Sequence, residues 1–211
     1  KKNKSYTEFS IYIKKNIIKN IHGEFNFKTN LLGEHNILNA TAAIIVSLIA
    51  KVSIKKICNA LMLFQGVKRR FSFLGKINNA SIYDDYAHHP SEIRASYEIA
   101  KQISSNKIII VFQPHRYSRT KILLKEYIKE LKKISILYIL DIYPAGEDPI
   151  KNINSQNLVN ILKKENENIY YLNNKNNLSL VLKPYFAEEN TIIFMGAGSI
   201  TLMAQKLFIK K

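Results

Sequence analysis

From Tyr6 to Phe27 apolar and polar residues alternate, with Phe9, Ile11 and Ile13 and then Phe25 and Phe27 on the apolar beat. A period of two is that of a strand with one face covered, so this stretch predicts short strands of a small sheet with a turn near His22-Gly23. The pattern then changes. Gly33 to Asn39 opens an almost wholly apolar helix running through Ala50, and a helix that apolar is expected to be buried on most sides. A second helix, Ser53 to Phe64, begins with serine in the cap position. The compact basic segment from Gly66 to Arg70 links these elements to the remainder of the chain.

Beyond Arg70 short apolar runs alternate with amphipathic ones. Strands are predicted at Phe71 to Ile77, Ala80 to Asp84, Ile108 to Phe112, Ile136 to Ile142, Ile169 to Leu172 and Thr191 to Met195. Helices are predicted at Ser91 to Ile103, Thr120 to Leu131, Ser155 to Lys164, Asn177 to Phe186 and Ile200 to Ile209. Short strands buried on both faces and joined by helical crossovers specify an α/β fold, a Rossmann-like, doubly wound and mostly parallel sheet. A domain boundary near Val67 divides the chain into residues 1–67 and 68–211. The polar parts of the tract from Lys163 to Asn177 read as solvated loops.

Composition adds limits. The 211 residues are 46% hydrophobic, enough for a sizeable core, and no apolar stretch reaches the length of a membrane span. Without a recognisable leader the expectation is a soluble, cytoplasmic protein with no membrane partner. Cys58 shares an apolar stripe with Ile54, Ile57, Leu61 and Met62, which favours packing over catalysis. The net charge of +16 raises nucleic-acid binding. Its lysines are nevertheless scattered among Asn and Ile, with no motif to focus them, so no nucleic-acid partner is expected. The arginines differ: of Arg69, Arg70, Arg94, Arg116 and Arg119, four lie in two clusters beside histidine, aromatic or proline residues. Clustered arginine in a lysine-rich chain points to a need for its planar fork, which grips phosphate or carboxylate with two parallel bonds.

In an open parallel sheet ligands meet the carboxyl ends of the strands. There the polar residues concentrate: Asp84 to Pro90, Gln113 to Arg119, Tyr143 to Pro149, and Gly196-Ala-Gly198. Adjacent histidines on an extended segment point opposite ways, so His88 and His89 do not suggest a two-histidine metal site; substrate contact or proton handling fits His88 better. Arg116 and Arg119, three apart at a helix start, are placed to clamp an anion together with free helix amides, or to serve as surface charges. His35 and Asn36 are placed to cap the apolar helix. Gly196-Ala-Gly198 is equally well a packing turn.

Six segments in this order resemble the Mur ligase family: Gly33-Glu-His-Asn-x-x-Asn39, Gly66-Val-Lys-Arg-Arg-Phe71, Asp84-Asp-Tyr-Ala-His-His-Pro90, Phe112-Gln-Pro-His-Arg-Tyr-Ser-Arg-Thr120, Tyr143-Pro-Ala-Gly-Glu-x-Pro149 and Gly196-Ala-Gly-Ser-Ile200. The segment from Gln113 to Arg119 is most similar to members that add L-alanine to UDP-N-acetylmuramate. The resemblance implies an ATP-dependent ligase of peptidoglycan precursor synthesis. Residues 1–67 would be the end of a central ATP-binding domain, and residues 68–211 the C-terminal domain. It implies that His35 and Asn36 contact the adenine of ATP, and that Arg70 and Asp85 approach its ribose or phosphates. Tyr86, His88, His115, Arg116 and Arg119 would face the amino acid and the acyl group, with His88, His115, Arg116 and Arg119 serving the chemistry.

The sequence departs from the family in one respect. No Gly-x-x-x-x-Gly-Lys-Ser/Thr loop occurs in the 211 residues, so the cradle for the β and γ phosphates and most Mg²⁺ ligands are expected in an N-terminal part, joined in cis or supplied in trans. The alternative expectation is a non-catalytic remnant of the same fold.

Overall fold

The computed structural model describes residues 6–173 and 178–209. Residues 174–177, the end of the predicted polar tract and the first residue of the predicted helix from 177, lie outside the described residues. The chain divides into two compact units, Lys1–Gly66 and Val67–Lys211.

In the first unit β1 (Thr7–Ile18) and β2 (Ile21–Thr29) pair antiparallel. The turn falls at Lys19-Asn20, three residues before the predicted position, because Asn20 takes the left-handed conformation that asparagine tolerates (φ 62°). Gly23 instead stays in the ladder opposite Ile13. Helices α1 (Glu34–Ile49) and α2 (Ile54–Leu63) come next. Ile13, Ile18, Phe27, Ile44, Leu48 and Ile57 form the core, with Cys58 half-buried beside them. The expectation that α1 is buried on most sides fails: Ala40, Ile44 and Leu48, spaced four apart, line one buried stripe, whereas Leu38, Val46 and Ile49 are each about two-thirds exposed. Nor do the expected side-chain caps form. Ser53 sits at the N-cap of α2 without a side-chain bond, and α1 is entered at Gly33.

The second unit is a six-stranded sheet made of β3 (Ser72–Ile77), β4 (Ala80–Asp85), β5 (Ile108–Phe112), β6 (Ile136–Leu140), β7 (Ile169–Leu172) and β8 (Thr191–Met195). Its order is β3-β4-β8-β5-β6-β7, all parallel except the antiparallel β3-β4 hairpin at one edge. Alternation along buried strands sends successive side chains to opposite layers. Ile108, Ile110 and Phe112 of β5 face Ile93 and Ala100 of α3 (Pro90–Ile103), Tyr127 and Leu131 of α5 (Leu124–Leu131), and Leu158 and Leu162 of α6 (Ser155–Leu162). Ile109 and Val111 face Leu182 of α7 (Leu178–Leu182) and Ile200 and Ala204 of α8 (Ile200–Lys206). Helices on both faces of a mostly parallel sheet make the doubly wound fold the sequence predicts.

The predicted helix from Thr120 to Leu131 is two: α4 (Tyr117–Ile122) and α5 part at Leu123, whose backbone leaves the helical basin (φ −97°, ψ 18°). Strand β6 ends two residues early, and its chain rejoins β5 as an isolated parallel bridge between His115 and Tyr143.

Candidate functional site

Four neighbouring strands, β4, β8, β5 and β6, deliver their polar segments to one rim. At the end of β4 the acidic pair turns inward. Asp84 and Asp85 are 2% and 3% exposed. Asp84 Oδ1 accepts from Thr201 Oγ1 at 3.0 Å, and Asp85 accepts from Ala87 N at 3.0 Å and from Ser96 Oγ. Burial pushes both carboxyls above the usual range. Asp85 thus reaches the rim in the chain trace, buried and with each oxygen already accepting one hydrogen bond inside the unit.

The next two histidines part ways. His89 is the N-cap of α3, its ring accepting from Ser91 N, with Pro90 at the first helical position. The Glu92 carboxylate accepts from the amides of His88 (3.0 Å) and His89 (3.1 Å), closing a capping box. Burial raises the Glu92 carboxyl, but those two amides outweigh it and hold it below its ordinary value. His88, half-buried, turns Nδ1 to the Tyr86 carbonyl at 2.9 Å. A carbonyl only accepts, so Nδ1 carries the proton, with Glu92 Oε2 3.5 Å from the same nitrogen, and in the neutral form of the ring Nε2 is the acceptor. Tyr127, fully buried on α5, donates its hydroxyl to the His88 carbonyl at 2.5 Å and ties the segment down from below.

At the end of β5, Arg119 Nη1 lies 3.0 Å from His115 Nδ1. A guanidinium only donates, which places the His115 proton on Nε2. Burial, then the charges of Arg119, His88 and Arg116, depress the His115 imidazole to about 4, so it is neutral near pH 7. The rim therefore carries two neighbouring imidazoles, ring centroids 5.7 Å apart, of which His115 presents a donor and His88, when neutral, an acceptor. Arg116, the exposed N-cap of α4 in left-handed conformation (φ 71°), stands beside them. The helix start it was expected to share is already partly used. Glu147, from the loop after β6, accepts from Ser118 N at 2.9 Å and Ser118 Oγ at 2.6 Å. The arginine side chains, more than free amides, are what an anion would meet here.

The glycine turn after β8 is a packing device as well as part of the rim. A Cβ on Gly196 (φ 156°) would fall 2.9 Å from the Gln113 carbonyl, and one on Gly198 would fall 2.5 Å from Tyr143 Cγ. Arg69 grips this turn from the other side: Nη2 donates to Gly196 O at 2.9 Å while Nε faces Asp84 at 3.8 Å and the guanidinium lies over the Tyr86 ring. Arg70 is half-exposed and reaches Glu92 at 3.4 Å.

Tyr86, His88, His115, Arg116 and Arg119 are thus brought to one edge, and Arg70 and Asp85 lie at its β4 side. His35 and Asn36 belong to the other unit, at the start of α1; His35 is exposed, and Asn36 Nδ2 donates to Leu32 O at 2.8 Å. Arg69, Ser96, Tyr127, Tyr143 and Glu147 were not singled out individually in the sequence. Arg69, Tyr143 and Glu147 lie within the recognised segments, whereas nothing local marks Ser96 or Tyr127.

Residues 69–198 match the family model described as Mur ligase, glutamate ligase domain. The chain belongs to the Mur ligase family. It is 44% identical over 180 residues to a UDP-N-acetylmuramate–L-alanine ligase of Rickettsia africae (strain ESF-5), and 42% identical to that of Rickettsia felis. The first match covers 83% of this chain and 37% of the relative, so the chain spans well under half the length of such ligases. Among solved structures, the UDP-N-acetylmuramate-alanine ligase MurC of Thermotoga maritima aligns with TM-score 0.70 at 28% identity, covering 90% of this chain and 40% of that one. A MurF of Acinetobacter baumannii shares the fold at TM-score 0.72 and 18% identity, over 97% of this chain and 43% of its own.

Proposed function

We propose that the chain is the C-terminal part of an ATP-dependent ligase that joins L-alanine to UDP-N-acetylmuramate through an acyl phosphate, in peptidoglycan precursor synthesis. The observation that carries this reading is the meeting of His88, His115, Arg116 and Arg119 on one strand-end rim, in a chain 44% identical to a ligase named for that reaction. Arg116, with Arg119 behind it, suits the carboxylate of the incoming amino acid. The Nε2 acceptor of His88 suits the proton that the attacking amine must lose. The neutral His115, with Nε2–H outward, suits the oxygen that gains charge in the tetrahedral intermediate. Tyr86, between the two arginines of the linker and His88, forms the wall on the β4 side.

Toward ATP the residues fit unevenly. Arg70 is exposed enough to meet an anionic group, and His35 and Asn36 open α1 of the first unit, which we assign to the end of the ATP-binding domain. Asp85 is buried, with one oxygen accepting from Ala87 and the other from Ser96, so its part in nucleotide binding is proposed as support of the β4 end. Among the described residues no three His, Cys, Asp or Glu side chains converge. The Mg²⁺ ligands belong, in this reading, to the N-terminal portion of the ligase. Among the described residues no helix is long and apolar enough to cross a membrane.

The test is reconstitution. The chain is combined, fused or in trans, with the N-terminal portion of the Rickettsia africae ligase, UDP-N-acetylmuramate, L-alanine, ATP and Mg²⁺. Phosphate release dependent on both L-alanine and this chain is expected. No release, while the intact relative turns over, would overturn the proposal.

A further inference from the structure

Tyr143 stands in a recognised segment yet has no part in the proposed reaction. We infer that Tyr143 is a positioning residue, whose ring holds His115 against Arg119 so that the imidazole keeps its Nε2–H turned to the substrate side. This rests on the assignment of the rim to the amino-acid side of the ligase.

Backbone and ring geometry both point there. His115 and Tyr143 are partners in a parallel bridge, with Tyr143 N donating to Pro114 O at 2.8 Å and Arg116 N donating to Tyr143 O at 2.8 Å. Tyr143 therefore clasps residue 115 from both sides, and bridge partners carry their side chains on the same face. The rings lie nearly parallel, 17° apart with centroids at 5.5 Å, the offset stack that aromatic pairs prefer. The other side of the arrangement is set by Gly198, where the absence of a Cβ leaves room for the base of the Tyr143 side chain. The Tyr143 hydroxyl makes no hydrogen bond among the described residues, so the ring and not the hydroxyl carries the role. Tyr86, His88, His115 and Tyr143 form one row of ring contacts across the ends of β4, β5 and β6, and Tyr143 closes it.

Imidazole titration by NMR in the 211-residue chain, with H115Q to assign the signal, tests this without substrates. In wild type His115 is expected to titrate at about 4. Y143A uncovers the ring, and the titration is expected to move up toward the ordinary value near 6.5. Gly198→Ala, which displaces Tyr143, is expected to move it the same way, and Y143F is expected to leave it in place. Should Y143A not fold, Y143L removes the stack while keeping bulk and takes its place. In the reconstituted ligase the ring-less variant is expected to lose about tenfold or more in kcat with KM for L-alanine nearly unchanged, Y143F restoring it. An unmoved titration in the ring-less variant, or Y143F behaving like it, overturns the inference. Failure of the site reading is separately visible: full turnover in H115Q would remove His115 from the chemistry, and with it the effect of Tyr143 on turnover.

Discussion

His115 loses its charge because its ring is packed from water and flanked by guanidinium groups, and that has a consequence for stability. The unfolded chain takes up a proton near 6.5 and the folded one only near 4, so between these values the unfolded state holds more protons. Its contribution leaves stability unchanged above 6.5 and erodes it as pH falls toward 4. Denaturant unfolding of wild type and H115Q at pH 7 and 4.5 is expected to show the larger loss in wild type, since carboxylates held low, such as Glu92, erode stability in both. R119Q is expected to raise the His115 titration while leaving it below 6.5, because burial, the larger cause, remains. How far such residues were legible is mixed. The sequence marked His88, His115 and both arginines by their company on strand ends. It also marked Asp85, whose buried partner Ser96 sits on the next helix, so chemistry and packing look alike until that helix is in place.

Between residue and fold lies the junction of β4 and α3, where one carboxylate and one phenol hold the His88 segment. E92A removes the acceptor for two amides and is expected to cost about 0.5–2 kcal/mol, within the usual range for a helix cap. Y127F leaves the His88 carbonyl without its donor in a buried place and is expected to cost about 1–3 kcal/mol. Urea denaturation measures both, and a cost near zero would show that water replaces these bonds. Elements themselves were well marked where the whole strand is apolar: β5, β7 and β8 begin and end where the pattern says. The errors fall where conformation depends on one residue, such as Asn20 turning the hairpin early or Leu123 splitting a helix. The partial exposure of α1 could not be read from an apolar run alone, because hydrophobicity records what seeks cover and not what provides it.

At the scale of the molecule the two units differ in how much they bury. The second has apolar layers on both faces of a six-stranded sheet, whereas the first rests two helices on a two-stranded hairpin around six buried side chains. A lone hairpin is marginal in water, so the first unit is expected to open more readily. Hydrogen exchange should show faster exchange for amides in residues 7–63 than in β5 and β8. Limited trypsinolysis should cleave at exposed Lys68 and leave the second unit intact, and equal protection in both units would contradict this. The fold of the second unit was legible because its crossovers impose a rhythm, and the place of the rim came from topology. Partnerships across it, such as Tyr127 with His88 or Glu147 with Ser118, join residues 29 or more positions apart and leave no local trace.

The strand that lies inside the sheet between β4 and β5 is β8, the last of its six described strands in chain order. Its end bonds to both neighbours, through Gly196 N to Asp85 O and Gln113 N to Met195 O. A nascent chain emerging from the ribosome therefore carries β4 and β5 with open inner edges until residues 191–195 have been synthesised. Such long-range pairing is slow and leaves sticky edges in the interval. The rim cannot exist in any shorter translation product, so a premature stop before residue 195 would yield an aggregation-prone chain and not a weakened site.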